Sequence, residues 1–254
     1  MGSPRIPLGD DSFFLVLTGA GVSAESGIPT FRDSNGLWEN HRVEDVASPE
    51  GFARDAALVW RFYSLRREAA ARCSPNPGHR ALAALERRMG DRMLLVTQNV
   101  DGLHQRAGSE RVVEIHGSLY RTRCSGCERE PFSDASSHHE GAPACELCGQ
   151  GRLRPDIVWF GEVLDHRALR RIERFIERAQ GRLVYLAAGT SGLVYPAAGL
   201  VHAARQVGAD TWLVNADAPQ NRGEFEHFVQ GRSGELLPSL LGVERDLSES
   251  DAPA

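Results

Sequence analysis

Four short apolar runs punctuate the chain: Phe13–Leu17, Met93–Thr97, Leu183–Ala187 and Thr211–Asn215. Runs this short, without regular polar alternation, predict strands buried on both faces. Between them lie segments whose apolar positions recur three and four apart, around Glu50–Arg72, His79–Arg88, Leu164–Ala179, Ala197–Val207 and Arg222–Val229, and these predict helices. Strands separated by helices imply an α/β fold, a Rossmann-like doubly wound parallel sheet with right-handed crossovers. Ligands of such sheets sit beyond the carboxyl ends of the strands. The turns after Leu17, Thr97, Ala187 and Val214 are therefore expected to converge.

Two stretches fall outside the alternation. Residues 39–74 read as a helical insertion, and 121–154 as a loop-rich tract holding four of the five cysteines. Together they predict a smaller inserted module, helical plus metal-binding, with 1–38, 75–120 and 155–254 forming the Rossmann-like domain. The 41% apolar content of the 254 residues is ample for a core. No apolar run reaches the roughly 18 residues a membrane span needs. The N-terminus shows neither a signal-peptide core nor, with Ile6 in place of Ser or Thr, a myristoylation pattern, so a cytoplasmic location is expected. A net charge of −5 argues against nucleic acid as a partner. All 29 basic residues are Arg, so no internal side-chain amine can be acylated.

The first apolar run breaks into Gly19-Ala20-Gly21, where absent side chains let backbone N–H groups approach an anion. Ser23 to Ser26 are expected to begin a short helix whose dipole favours a pyrophosphate. The third glycine of G-x-G-x-x-G is missing, because position 24 is Ala24. Gly27 to Arg32 instead extend the loop, as if to cover a dinucleotide.

Cys124-x-x-Cys127 and Cys145-x-x-Cys148, 17 residues apart, have zinc-ribbon spacing. Two knuckles supply four thiolates and close a tetrahedral shell, so the metal is expected to be structural. A disulfide reading is disfavoured by the expected reducing compartment. His138 and His139, inside the loop, are candidate substitute ligands but read better as surface histidines, and Cys73 has no assigned role.

The run Thr97 to His104, with Gln98, Asn99 and Asp101, follows the second strand, and Glu114 to Ser118, with His116, comes soon after. Singly these are weak signals, since an Asn or Asp after a strand usually caps a helix. Together at strand ends they supply amide, carboxylate and imidazole groups to one place.

At this point the chain resembles the sirtuins, NAD-dependent protein-lysine deacylases, over roughly residues 10–242. The resemblance rests on Gly19-Ala-Gly-Val-Ser23, Gly27-Ile-Pro-Thr-Phe-Arg32, Gly36-Leu-Trp38, Thr97 to His104, His116-Gly-Ser118 and the four cysteines. Val158-Trp-Phe-Gly-Glu162, Gly189-Thr-Ser191, Val194-Tyr-Pro196 and Asn215 extend it. It implies that the acyl-lysine oxygen attacks C1′ of the nicotinamide ribose, releasing nicotinamide and forming an alkylimidate. The products are free lysine and O-acyl-ADP-ribose. His116 would be the general base for a ribose hydroxyl, as suits an imidazole titrating near working pH. Asn99 would bind the ribose or order a water, and Asp101 would hold the nicotinamide carboxamide. Phe31 and Arg32 would shield the intermediate, although Asp33 and the residues before Gly36 depart from the family's usual Gly after Arg. NAD would also touch Gly19, Ala20, Gly21, Glu25, Ile28, Gln98, Gly189, Thr190, Ser191, Asn215, Ala216, Asp217 and Ser233. An acylated peptide would pair with Val158, Phe160, Gly161 and Glu162 on one side and with Gly192 and Val194 on the other. Cys124, Cys127, Cys145 and Cys148 would hold one zinc.

Tyr63 and Arg66 lie three apart, on one helix face, and offer a hydroxyl and a forked cation. By themselves they read as part of an amphipathic helix. In the sirtuin frame they resemble the Tyr-x-x-Arg signature of the branch that removes succinyl and malonyl groups, with Ala47 leaving space for the longer chain. Alternatives within the family are a plain deacetylase and a protein ADP-ribosyltransferase. A nicotinamide-linked dehydrogenase would need the missing third glycine and an acidic ribose ligand about 20 residues on. A non-catalytic zinc-ribbon binding module would explain residues 121–154 alone.

Overall fold

A computed structural model describes residues 5–29, 37–38, 41–191 and 197–250, with only the backbone of 37–38 and 248–250. In chain order the elements are β1 (Phe13–Thr18), α1 (Ala20–Ala24), β2 (Leu37–Trp38), β3 (His41–Arg42), α2 (Val43–Val46), α3 (Pro49–Arg54), α4 (Ala56–Arg72) and α5 (Pro77–Met89). Then come β4 (Met93–Thr97), α6 (Leu103–Arg106), β5 (Val112–Glu114), β6 (Gly117–Cys124), β7 (Phe132–Ser133), β8 (Leu153–Ile157) and α7 (His166–Arg178). The last are β9 (Leu183–Ala188), α8 (Leu200–Gln206), β10 (Asp210–Asn215), β11 (His227–Gln230), α9 (Ser233–Leu240) and α10 (Glu244–Ser250).

Among the described residues, one sheet runs β11-β10-β9-β1-β4-β5, with every pairing parallel. The four predicted strands are its centre. Each is buried along nearly its whole length because both faces are covered. Phe14, Val16, Leu95 and Leu186 pack toward α5 and α9, whereas Leu15, Leu17, Val96 and Tyr185 pack toward α7 and α8. The chain leaves β1 toward β4 and β5, then returns to its other flank with β9. The crevice for a ligand therefore lies between β1 and β9.

A third core joins α2, α3 and α4 (Val46, Phe52, Val59, Trp60, Tyr63) to Leu119 of β6, Ile157 of β8 and Trp159 beyond it. Here an antiparallel sheet, β7-β6-β8, carries the cysteine loops.

Four expectations need correction. The Glu50–Arg72 segment is two helices, broken where Asp55 leaves helical geometry and its side chain caps α4 by accepting from Leu58 N at 2.8 Å. Arg222–Val229 is a single 3₁₀ turn, Arg222–Glu224, followed by edge strand β11; one half-exposed face supplies the apolar spacing that mimics a helix. Ala197–Val207 opens as a 3₁₀ turn and becomes α-helical only at Leu200. The short helix after β1 begins at Ala20 instead of Ser23, and Ser23 is buried within it.

Candidate active site

The turns after β1, β4, β9 and β10 do converge. They line a cavity of about 1330 Å³ that also reaches α4 and the segment 158–164. Every cofactor, acyl and peptide residue expected from sequence lines it, wherever the structure describes that residue. Phe31, Arg32, Gly192 and Val194 lie outside the described residues. The volume exceeds that of a pocket for one drug-sized ligand.

The glycine turn works differently from the sequence reading. Gly19 N donates to Ala188 O at 3.1 Å and Gly21 N to Gly189 O at 2.8 Å, so neither N–H is aimed at an anion. The glycines instead permit two turns to touch: a Cβ on Gly21 would lie 2.8 Å from Gly189 Cα and O. Gly189 itself has φ +60°, where L side chains are strained. With α1 only five residues long, the backbone contact between the β1 and β9 turns is what shapes this wall. Gln98 Nε2 donates to Thr190 Oγ1 at 2.9 Å and Asn215 Nδ2 to Thr190 O at 3.2 Å, fastening three strand ends together. Glu25 accepts from Gly234 N at 2.8 Å, which ties α1 to the start of α9 beside Ser233.

Behind the turn runs a buried polar network. Asn99 Nδ2 donates to Gly19 O (3.0 Å) and Ser23 Oγ (3.1 Å), and Ser23 Oγ donates to Asp101 Oδ2 (2.7 Å). Asp101 Oδ1 also accepts from Leu103 N at 2.9 Å. Burial raises the Asp101 pKa, opposed by those hydrogen bonds and by the charge of Arg66. His79 completes the arrangement. Its Nδ1 accepts from Asn76 N at 3.3 Å, so Nε2 carries the proton and donates to Ser23 Oγ at 3.4 Å. Burial lowers His79 to about 4, keeping it neutral. Sequence reasoning placed His79 only in a helix; the Asn76 cap three residues earlier marks that helix start, not its contact with Ser23.

His116 lies one residue before β6, with Nδ1 3.2 Å from Gln98 O. A carbonyl only accepts, so Nδ1 carries the hydrogen and Nε2 holds the lone pair. Burial lowers its pKa below the ordinary histidine value. The imidazole is thus a neutral, oriented base in the cavity wall.

On the opposite wall, Tyr63 is fully buried and its hydroxyl accepts from Trp159 Nε1 at 3.0 Å. That leaves its own proton for another acceptor. Burial pushes its pKa up to about 12, although the Arg66 charge acts to lower it. Arg66 is half-buried, with its cation 5.6 Å from the Phe62 ring centre. Ala47 accepts Phe160 N through its carbonyl at 3.1 Å. Val158 N donates to His116 O and Glu162 N to Trp159 O, so the N–H groups of 158, 160 and 162 are committed within the protein. The Glu162 carboxylate is likewise held by Arg154 (2.6 and 3.0 Å), Arg123 (3.2 Å) and Trp159 N (2.8 Å). Phe160 and Val163, at 56% and 80% exposure, form an apolar rim.

The four cysteine sulfurs lie within 4.8 Å of one another, with Cys124 and Cys148 Sγ 3.8 Å apart. That is far beyond an S–S bond of about 2.05 Å. It matches the edge of a tetrahedron with Zn–S bonds of about 2.3 Å, roughly 3.8 Å. Gly126 N and Gly151 N donate to Cys124 and Cys148 sulfur at 3.2 and 3.3 Å, which suits metal-bound thiolates. The donor set fits one structural zinc. His138 and His139 bond instead to Asp134 (3.0 Å) and Glu68 (2.7 Å).

A dinucleotide crevice, a neutral half-buried histidine and a four-thiolate ribbon define a class of zinc-bearing, nucleotide-using α/β protein. The Sir2 family model matches residues 19–196, and the chain belongs to that family. It is 49% identical over 227 residues to NAD-dependent protein deacylase 2 of Pyrobaculum aerophilum, covering 89% of each chain. It is 46% identical over 246 residues to the NAD-dependent protein deacylase of Salmonella typhimurium, covering 95% of this chain and 84% of that one. Among solved structures, a Sir2 homologue–NAD complex superposes with a TM-score of 0.85 at 40% identity, covering 97% of each chain. A Sir2 bound to a deacetylated peptide and 3′-O-acetyl ADP-ribose superposes at 0.75 with 29% identity, covering 90% of this chain and 92% of that one. Among the described residues, no helix is long and apolar enough to cross a membrane.

Proposed function

We propose that this protein removes acyl groups from protein lysines at the expense of NAD, and that it favours acidic acyl groups such as succinyl and malonyl over acetyl. The deacylase reading is supported by family membership and by relatives named NAD-dependent protein deacylases. The acidic preference is carried by one observation: Tyr63 and Arg66 line the same cavity as His116, with Ala47 beside them. A hydroxyl proton and a guanidinium together suit a carboxylate and have no partner on an acetyl methyl.

In this reading NAD lies along the β1, β9 and β10 turns and supplies the ribose carbon to which the acyl oxygen transfers. His116 Nε2 takes the proton of a ribose hydroxyl. Asp101, an acceptor in its own network, receives an amide hydrogen of nicotinamide. Asn99, held by Gly19 and Ser23, orients the ribose. The acyl-lysine peptide runs along Val158–Glu162, where the carbonyls and Gly161, instead of the committed N–H groups, would meet its backbone. Recognition through main chain is largely indifferent to sequence, so acyl type and not peptide sequence dominates selectivity.

The test is Arg66→Met assayed on matched succinyl and acetyl peptides. Succinyl turnover is expected to fall far more than acetyl turnover. Equal losses would sink the acidic-acyl assignment, and a wild type that releases nicotinamide without any acyl peptide would favour an ADP-ribosyltransferase.

A further inference from the structure

The residue after Arg66 is the better-buried cation. Arg67 is 2% exposed, and each of its five N–H donors has an acceptor. Nε donates to Leu119 O at 2.5 Å; one terminal nitrogen donates to Ser136 O (2.6 Å) and Asp134 (3.3 Å), the other to Thr122 Oγ1 (3.0 Å) and Arg121 O (3.2 Å). The Trp60 ring centre lies 5.0 Å from the cation. All five acceptors fall between residues 119 and 136, the segment that carries Cys124 and Cys127. Two further bonds join the same helix to the cysteine module: Trp60 Nε1 to Leu153 O (2.8 Å) and His138 N to Ser64 Oγ (2.8 Å).

A guanidinium with a fixed fork and five matched acceptors tolerates little displacement without leaving a buried donor unmatched. Three of those acceptors are main-chain carbonyls, so a shift of β6 or of the 134–136 loop must move Arg67. Arg67 is one residue from Arg66 and one helical turn from Tyr63. Leu119, its Nε acceptor, itself lines the cavity.

We propose that Arg67 is a specificity-determining positioning residue: by fixing α4 on the segment that carries Cys124 and Cys127, it sets the preference for an acidic acyl group. The proposal rests on the acidic-acyl reading of Tyr63 and Arg66. A succinyl carboxylate must meet both groups at hydrogen-bond range, whereas an acetyl group ends short of them and NAD binds at the β1 and β9 turns. Loosening α4 should therefore weaken one substrate class selectively, which a merely structural role would not do.

The experiment measures kcat and KM for succinyl peptide, acetyl peptide and NAD, with zinc content, in wild type, Arg66→Met, Arg67→Lys and Asp134→Asn. Lysine keeps the charge but offers a single point with three donors. Arg67→Lys should retain zinc, hold acetyl kcat/KM and the NAD KM within about three-fold, and lower succinyl kcat/KM by about ten-fold or more, chiefly through KM. Asp134→Asn, which weakens the same clamp from the metal side, should shift the ratio in the same direction by a smaller factor. It carries the test if Arg67→Lys does not fold. Parallel losses on both peptides, or an unchanged ratio, would overturn the coupling. A ratio that collapses in Arg66→Met yet holds in Arg67→Lys overturns the coupling alone. A wild type with no succinyl preference and no response to Arg66→Met overturns both readings.

Discussion

Tyr63→Phe separates two roles of one hydroxyl. The oxygen accepts the Trp159 indole N–H at 3.0 Å, and both side chains are buried, at 0% and 2% exposure. Removing it leaves a buried donor without an acceptor, a loss of roughly 1–3 kcal/mol of stability. For a chain of this size that is a fall in melting temperature of roughly 2–12 °C. In the acidic-acyl reading the phenol proton would be the group offered to an acyl carboxylate, and burial pushes the pKa up to about 12, so the proton stays in place at working pH. A hydrogen bond to a charged acceptor contributes roughly 1.5–3 kcal/mol. Succinyl kcat/KM should therefore drop roughly 10- to 150-fold. Acetyl kcat/KM, lacking that contact, should change little once assayed well below the new melting temperature. Thermal denaturation and steady-state kinetics on matched peptides give both readouts from one preparation. Equal losses on the two peptides, or a lowered melting temperature with succinyl turnover intact, would refute the reasoning.

Other outcomes follow from the same geometry. Because burial lowers the His116 pKa, the acid limb of kcat/KM should have its midpoint below 6.5, and His116→Tyr should abolish acyl-dependent nicotinamide release. His79 is held at about 4 against an ordinary 6.5, so between those values the unfolded chain binds a proton that the folded one excludes. Its stabilisation is complete above pH 6.5 and is lost as the pH falls toward 4, at up to about 1.4 kcal/mol per pH unit. His79→Gln should accordingly flatten the melting temperature against pH in that window. Metal analysis should give one zinc per chain and none in Cys145→Ala. Gly151→Ala, whose Cβ would run into Cys124 Sγ, should also lose zinc, and retention of full metal content would contradict the ribbon geometry.

The parts legible in the sequence are those where one local rule decides. The central strands are apolar on both faces, so no competing period obscures them. The cysteine spacing and the residues at strand ends follow from chemistry confined to single turns. Edge strand β11 was not legible, because four half-exposed residues after a turn carry too little pattern to exclude a helix. The break at Asp55 depends on one capping side chain inside a continuous helical periodicity. The glycine turn shows a different limit: sequence supplies the small residues, but only the fold shows that Gly21 faces Gly189, 168 residues away in the turn after β9, and not an anion. Arg67 illustrates it again. Nothing within its helix distinguishes it from half-buried Arg66, and its acceptors lie 52 to 69 residues on.

The central claim is that this cavity consumes NAD only when an acyl-lysine is present, and does so best when the acyl group is acidic. It is tested most directly by nicotinamide release from NAD with unmodified, acetylated and succinylated forms of one peptide. The account predicts no release above background with the unmodified peptide, release with the acetylated one, and faster release with the succinylated one. Release that is independent of acylation, or acetyl turnover equal to or above succinyl turnover, would contradict it.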